Sequence, residues 1–208
     1  MSETLEIASI TSLLKNLLDN WLIHQSATAS MGNIAVTALP PDRIPIGTEE
    51  RPRINLHLYR ITPNTKYHSK NSPAEAMQTY IPPLALDLHY LLTTYGERDF
   101  QAEILLEYVL QLFQTTPVLT SEIMRTALKS STIDDLVHSA LEILYASLQR
   151  NEHEEIQISP EFLSPEELSK LWSTLQAHAR LSMTYKVSTV LVGNRGIANA
   201  QNDREGRD

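Results

Sequence analysis

The sequence contains no cysteine and only six glycines among its 208 residues. The first absence excludes disulfides, thiolate metal sites and cysteine catalysis, is compatible with a reducing compartment, and leaves packing to hold the fold. The shortage of glycine argues against the backbone flexibility that phosphate-cradling and lid loops use. No glycine-rich phosphate loop, dinucleotide fingerprint, Gly-x-Ser-x-Gly elbow or His-Glu-x-x-His pair occurs. Basic charge is scarce as well. A formal net charge of -8 argues against sequence-independent nucleic-acid binding, which needs a surface that releases phosphate counterions. No apolar run comes near the roughly 20 residues that span a bilayer. The opening MSETLEIASI carries acids where a secretory signal carries bases, so the chain is expected to be made in the cytoplasm, without direct membrane insertion.

What remains is 42% hydrophobic and 20% charged, the composition of a domain with a real core. Ile7, Ile10, Leu14, Leu17, Leu18 and Trp21 recur at helical spacing, with Glu3 and Glu6 near the positive end of the helix dipole, which predicts an amphipathic helix. Ile34, Val36 and Ala38 begin a short strand stopped by Pro40 and Pro41. Ile54, Leu56 and Leu58 alternate with Asn55, His57 and Tyr59 as in a half-buried strand, and a third strand runs from Leu84 to Gly96, expected beside the second. Between them residues 65–80 read as an exposed loop or arm.

The middle third reads as helical. One helix is expected to start on an Asp99 cap and stop before Thr116-Pro117, a second to start on Thr120 and a third on Thr132. Ile156 and Ile158 mark a short strand, Ser164-Pro165-Glu166-Glu167 is a helix start, and the alternation of Leu181, Met183, Tyr185, Val187, Thr189 and Leu191 is a long final strand. The order of elements fits an α+β fold, a mixed sheet covered by helices, better than a doubly wound one. Residues 1–192 form the single domain of this reading, with 193–208 a flexible tail.

Three residues carry the best case for chemistry. His57 on one strand and Asp87 and His89 on the next share a face if the strands pair in the right register, and two imidazoles with a carboxylate are metal-ligand types. The plainer reading is that they hydrogen-bond across the strands on the less apolar face. The run Glu152-His153-Glu154-Glu155 reads as a solvated charge run. No serine is placed on a strained strand-to-helix turn, so no catalytic residue, metal or cofactor is assigned. Tyr59, Tyr67, Tyr80, Tyr90 and Tyr95 gather around the 65–80 loop and its flanking strands, as a binding surface or, for Tyr59 and Tyr90, as amphipathic residues at the sheet margin.

Four segments then stand in a telling order: RINLHLYRITPN (53–64), PPLALDLHYLLTTYG (82–96), LQLFQTTPVLTSEIMRTAL (110–128) and SPEELSKLWSTLQAHARLSMTYKVSTVLV (164–192). Together they resemble the N-terminal domain of the cap proteins of extracellular contractile injection systems, phage-tail-like particles. The resemblance spans most of residues 5–192 and implies a tail-terminator-like fold with a mostly antiparallel sheet. It implies a structural protein rather than an enzyme, a homohexameric ring that closes the end of the inner tube and sheath, and a final location set by the particle, in the cytoplasm, at a membrane or released. A ring subunit needs lateral contacts and exposed strand edges. Met183, Tyr185, Val187, Thr189 and Leu191 of the final strand are the first candidates for such contacts, or simply a central strand; Tyr67 and Tyr80 come next. A terminator or neck component of an ordinary phage tail fits the same segments. The competing reading is a small metal-dependent hydrolase using His57, Asp87 and His89.

Overall fold

The computed structural model describes residues 6–25, 31–65, 84–129 and 156–192. The helix expected from Thr132, the charge run 152–155, the loop after Thr65 and the tail 193–208 lie outside those residues, as do Tyr67 and Tyr80.

Helix α1 (Glu6–Ile23) is followed by β1 (Ala35–Thr37), two 3-10 turns (Pro41–Arg43 and Gly47–Glu49), and the long strands β2 (Arg53–Pro63) and β3 (Leu84–Tyr95). Next come α2 (Gln101–Thr115), β4 (Val118–Leu119), α3 (Ser121–Lys129), β5 (Ile156–Glu161), α4 (Pro165–Thr174) and β6 (Ser182–Val192). The strands make one six-stranded sheet in the order β1-β2-β3-β6-β5-β4. Only β1 and β2 run parallel; every other pair is antiparallel. This is the α+β fold with a mixed sheet that the pattern predicts, mostly antiparallel as the resemblance implies.

One face of the sheet is the core. The stripe Ile10, Leu13, Leu14, Leu18 and Leu22 of α1, with Leu105, Val109, Leu112 and Phe113 of α2 and Met124 and Ala127 of α3, packs in one cluster with Ile54, Leu56, Leu88, Tyr90, Leu92, Ile158, Tyr185 and Val187 of the sheet. Burial of this apolar area drives the fold. Tyr90 stands at its centre rather than at the sheet margin, because alternation along β3 turns it toward α1. Its hydroxyl lies 2.8 Å from Thr11 Oγ1, and since Thr11 donates to the carbonyl of Ile7, Tyr90 donates to Thr11. Burial pushes the Tyr90 phenol up to about 12.

Helix starts divide into two kinds. Ser164 and Glu167 form a reciprocal capping box, with Pro165 at the first helical position, and Thr120 Oγ1 accepts from Ile123 N–H at 3.4 Å, both as the sequence predicts. The expected Asp99 cap is not made. The cap position of α2 belongs to Phe100, whose φ is 67°, with no side-chain cap bond. Gln101 Oε1 instead accepts from the backbone N–H groups of Glu97 and Arg98 at 2.9 and 3.0 Å and closes the turn from inside. The two residues of β4, read from sequence as the lead-in to a helix, are a strand because β5 offers Val118 and Leu119 an antiparallel partner.

Candidate functional site

Strand alternation alone would point Arg60 and Thr62 into the core, since Ile54, Leu56 and Leu58 all pack there. A bulge prevents this. Leu58 pairs with Tyr90, but Arg60, not Tyr59, pairs with His89, so one extra residue in β2 reverses the parity of the strand. Arg60 and Thr62 thereby join His89 and Asp87 on the face opposite α1, α2 and α3, and Ile61 pairs with Leu88.

A polar network occupies part of that face, beside the buried Leu91. His89 Nδ1 donates to Glu161 Oε2 at 2.8 Å, and its Nε2 is 2.8 Å from Thr62 Oγ1. Glu161 also accepts from Arg60 Nη2 at 2.9 Å and from Tyr59 Oη at 3.1 Å. With Nδ1 carrying the proton that Glu161 accepts, the 3.2 Å approach of Arg60 Nη2 to the same nitrogen is a contact and not a second hydrogen bond. The rings of Tyr59 and His89 meet edge-on at 6.2 Å, and the Arg60 guanidinium lies 5.7 Å from the Tyr59 centroid. Thr184 Oγ1 donates to the backbone carbonyl of Glu161. The network thus joins β2 to β5 over β3 and β6, a span of about 14 Å in a flat sheet, which long side chains from both ends cross above His89.

Its electrostatics favour a tie over a catalyst. Burial pushes the Glu161 carboxyl up, but the hydrogen bond and charge of His89, the Tyr59 hydroxyl and Arg60 outweigh it and hold the group below its ordinary range. Burial and then the adjacent Glu161 charge push Tyr59 up to about 12. An ionised carboxylate with three donors, beside a phenol that keeps its proton, is poorly matched to acid–base work near neutrality.

The three residues of the hydrolase reading do not converge. His89 is engaged as described; Asp87 accepts from Asn64 Nδ2 at 2.9 Å and faces Lys186 Nζ at 3.7 Å. His57 pairs with Leu91, and burial pulls its pKa down more than Asp42 raises it. Among the described residues no group of three histidine, aspartate or glutamate side chains can hold a metal ion. The plainer reading, cross-strand hydrogen bonding, is the one the geometry bears out for His89 and Asp87, through Thr62 of β2 and Asn64 just after it.

The final strand is a central one, the second of its two expected readings. β6 is bonded to β3 on one side and, over Thr184 to Ser188, to β5 on the other. Tyr185 and Val187 are buried in the core, Tyr185 edge-on to Phe113 at 4.9 Å, and Met183 packs against the same cluster. The side chains of these three are thus used inside the subunit, as in the central-strand reading. Leu191 pairs through its backbone with Ala85, while the side chains of Thr189 and Leu191 lie outside the description.

The Pvc16 N-terminal domain family model matches residues 9–202. The chain belongs to this family. As a Pvc16 N-terminal domain it shares its fold with a solved structure, the sheath/tube terminator of an extracellular contractile injection system (PVC) in its extended state, at TM-score 0.51 and 18% identity, covering 89% of this chain and 56% of that one. It is also similar to the tube-terminating cap of the anti-feeding prophage, at TM-score 0.48 and 17% identity, covering 87% of this chain and 55% of that one. The chain therefore spans little more than half the length of the solved proteins it matches. No curated protein matches it.

Sequence reasoning missed two features of this Pvc16 N-terminal domain. Glu161 was hidden because its partners His89 and Arg60 lie 72 and 101 positions away. The aromatic side chains of Phe100 and Phe162 stand in solvent, which no local pattern announces. Among the described residues no helix is long and apolar enough to cross a membrane.

Proposed function

We propose that this chain is a cap subunit that assembles as a sixfold ring on the end of the inner tube and sheath of a contractile injection particle and stops their growth. The observation that carries the reading is the match of the Pvc16 N-terminal domain over residues 9–202, almost the whole chain. The fold suits the task. A sheet tied on one face by an apolar core and on the other by a network from β2 to β5 makes a rigid block, and a ring resists deformation only as well as its subunits do. The particle, and with it the place where the cap ends up, is the extracellular one that the family relationship suggests.

Light scattering after size exclusion, with and without the purified inner-tube protein of the same particle, tests it. A mass six times that of the chain, or a monomer that becomes a ring on tube ends, is the expected outcome. A monomer that ignores both assembled tube and assembled sheath would overturn the reading.

A further inference from the structure

Phe100 is held in a conformation and an environment that both disfavour it. Its φ of 67° lies in the left-handed region, which glycine takes freely and a large L side chain rarely does. Its side chain is 71% exposed. Neither feature adds to the stability of the isolated chain, and a strained backbone with an outward-facing aromatic is the kind of outlier from which a functional reading starts.

The turn that presents it is rigid. Gln101 is buried and fixes the N–H groups of Glu97 and Arg98, Gln101 N–H bonds the carbonyl of Arg98 at 3.3 Å, and Ile104 N–H bonds that of Phe100 at 3.0 Å. Gly96 completes the lock. A Cβ there would stand 2.6 Å from Gln101 Cβ and 2.9 Å from Ala102 N, so the turn closes this tightly only on glycine. Around the ring the exposed Glu97, Asp99 and Glu103 outnumber Arg98.

We propose that Phe100 is a preformed anchor that inserts into an apolar socket, rimmed by basic side chains, on the end of the assembled inner tube; the proposal rests on the cap reading above. Preorganised aromatics are the residues that dominate interfaces, because little order is lost on docking. The acidic rim calls for a basic partner, which disfavours a second copy of a chain whose net charge is -8. The tube is preferred to the sheath because a locked knob needs a partner of fixed shape.

The test is cosedimentation of the full chain with tubes assembled from the inner-tube protein, and separately with assembled sheath. Phe100→Gly relieves the backbone while deleting the anchor. Its thermal midpoint is expected to be no lower than wild type, and its affinity for tubes to fall about tenfold or more. Asp99→Lys is expected to weaken tube binding by a smaller factor, and salt to weaken the wild type. Phe100→Gly binding tubes as wild type does, or losing affinity for sheath alone, would overturn the anchor and leave the cap reading standing. A lower thermal midpoint with unchanged affinity would assign Phe100 a structural role instead. Failure of the wild type to bind either polymer would overturn both proposals.

Discussion

The two faces of the sheet hold together in different ways. Under the helices, Ile54, Leu56, Leu88, Tyr90 and Leu92 follow one another at alternate positions of β2 and β3, all essentially inaccessible, and their contacts are non-directional. On the opposite face Arg60, Thr62 and His89 reach Glu161 through hydrogen bonds that demand particular distances and angles. The first face tolerates small shifts and depends on volume. The second depends on register, and in β2 a single extra residue supplies it.

The comparison is broken most severely by emptying the core. Leu56→Ala removes a side chain that is 1% exposed, and transfer and cavity terms together make the expected loss about 3 kcal/mol. Urea denaturation measures it. A cost below about 1 kcal/mol would mean that α1 and α2 collapse into the space and that the core is far looser than its burial implies.

That difference between faces also decides what is legible in the sequence. The stripe on α1, the alternation in β2 and β3, and the box at Ser164 and Glu167 are local patterns, and each became the element it predicts. The cap of α2 was misplaced because a good capping residue, Asp99, precedes a residue that adopts φ 67° once Gln101 turns inward, a choice made by packing. The bulge after Leu58 leaves no local trace, yet it decides on which side every later residue of β2 stands. His89 was found as a polar residue on a strand and Glu161 was not, since nothing in a linear pattern joins positions 72 apart. For the same reason the alternation through Tyr185 and Val187 leaves a contact strand and a central strand equally open, and the pairing with β5 makes it central.

An intermediate effect is expected from Glu161→Gln, which leaves Arg60 without its charge partner and gives the Nδ1–H of His89 a weaker acceptor. The expected cost near neutrality is about 1–2 kcal/mol. Its pH dependence separates the network from the core. The folded carboxyl lies below its ordinary 4.5, so its stabilisation is complete above that value and is lost as pH falls through the depressed folded value. Wild type should lose stability below about pH 4.5 more steeply than the glutamine variant. His57 adds an earlier window. Its folded pKa is lowered from 6.5, so below that pH the unfolded chain takes up a proton that the folded chain refuses, and His57→Gln should flatten the profile there. Denaturation midpoints collected from pH 8 to pH 3 measure both; parallel curves for wild type and Glu161→Gln would show that the carboxylate is not held by its partners.

The smallest effect at neutral pH belongs to Tyr59→Phe. Glu161 keeps His89 and Arg60 as donors when the hydroxyl is deleted, and the ring retains its contacts with His89 and Arg60. The expected cost is therefore about 0.5 kcal/mol, and in combination with Glu161→Gln the loss should be less than the sum, since the two substitutions remove one shared bond. Alkaline pH enlarges the effect in a direction that can be worked out. The folded phenol is pushed up to about 12, so its contribution is complete below the ordinary value of 10.0 and disappears as pH rises through the folded one. Wild type should lose more stability than Tyr59→Phe across that interval. Tyr90 and Tyr95 are raised for their own reasons of burial and remain in both proteins, so the difference between the two curves isolates Tyr59. Identical curves would place the phenol in water and leave Arg60 as the link from β2 to Glu161, a tie carried by one ion pair rather than by two neighbouring residues.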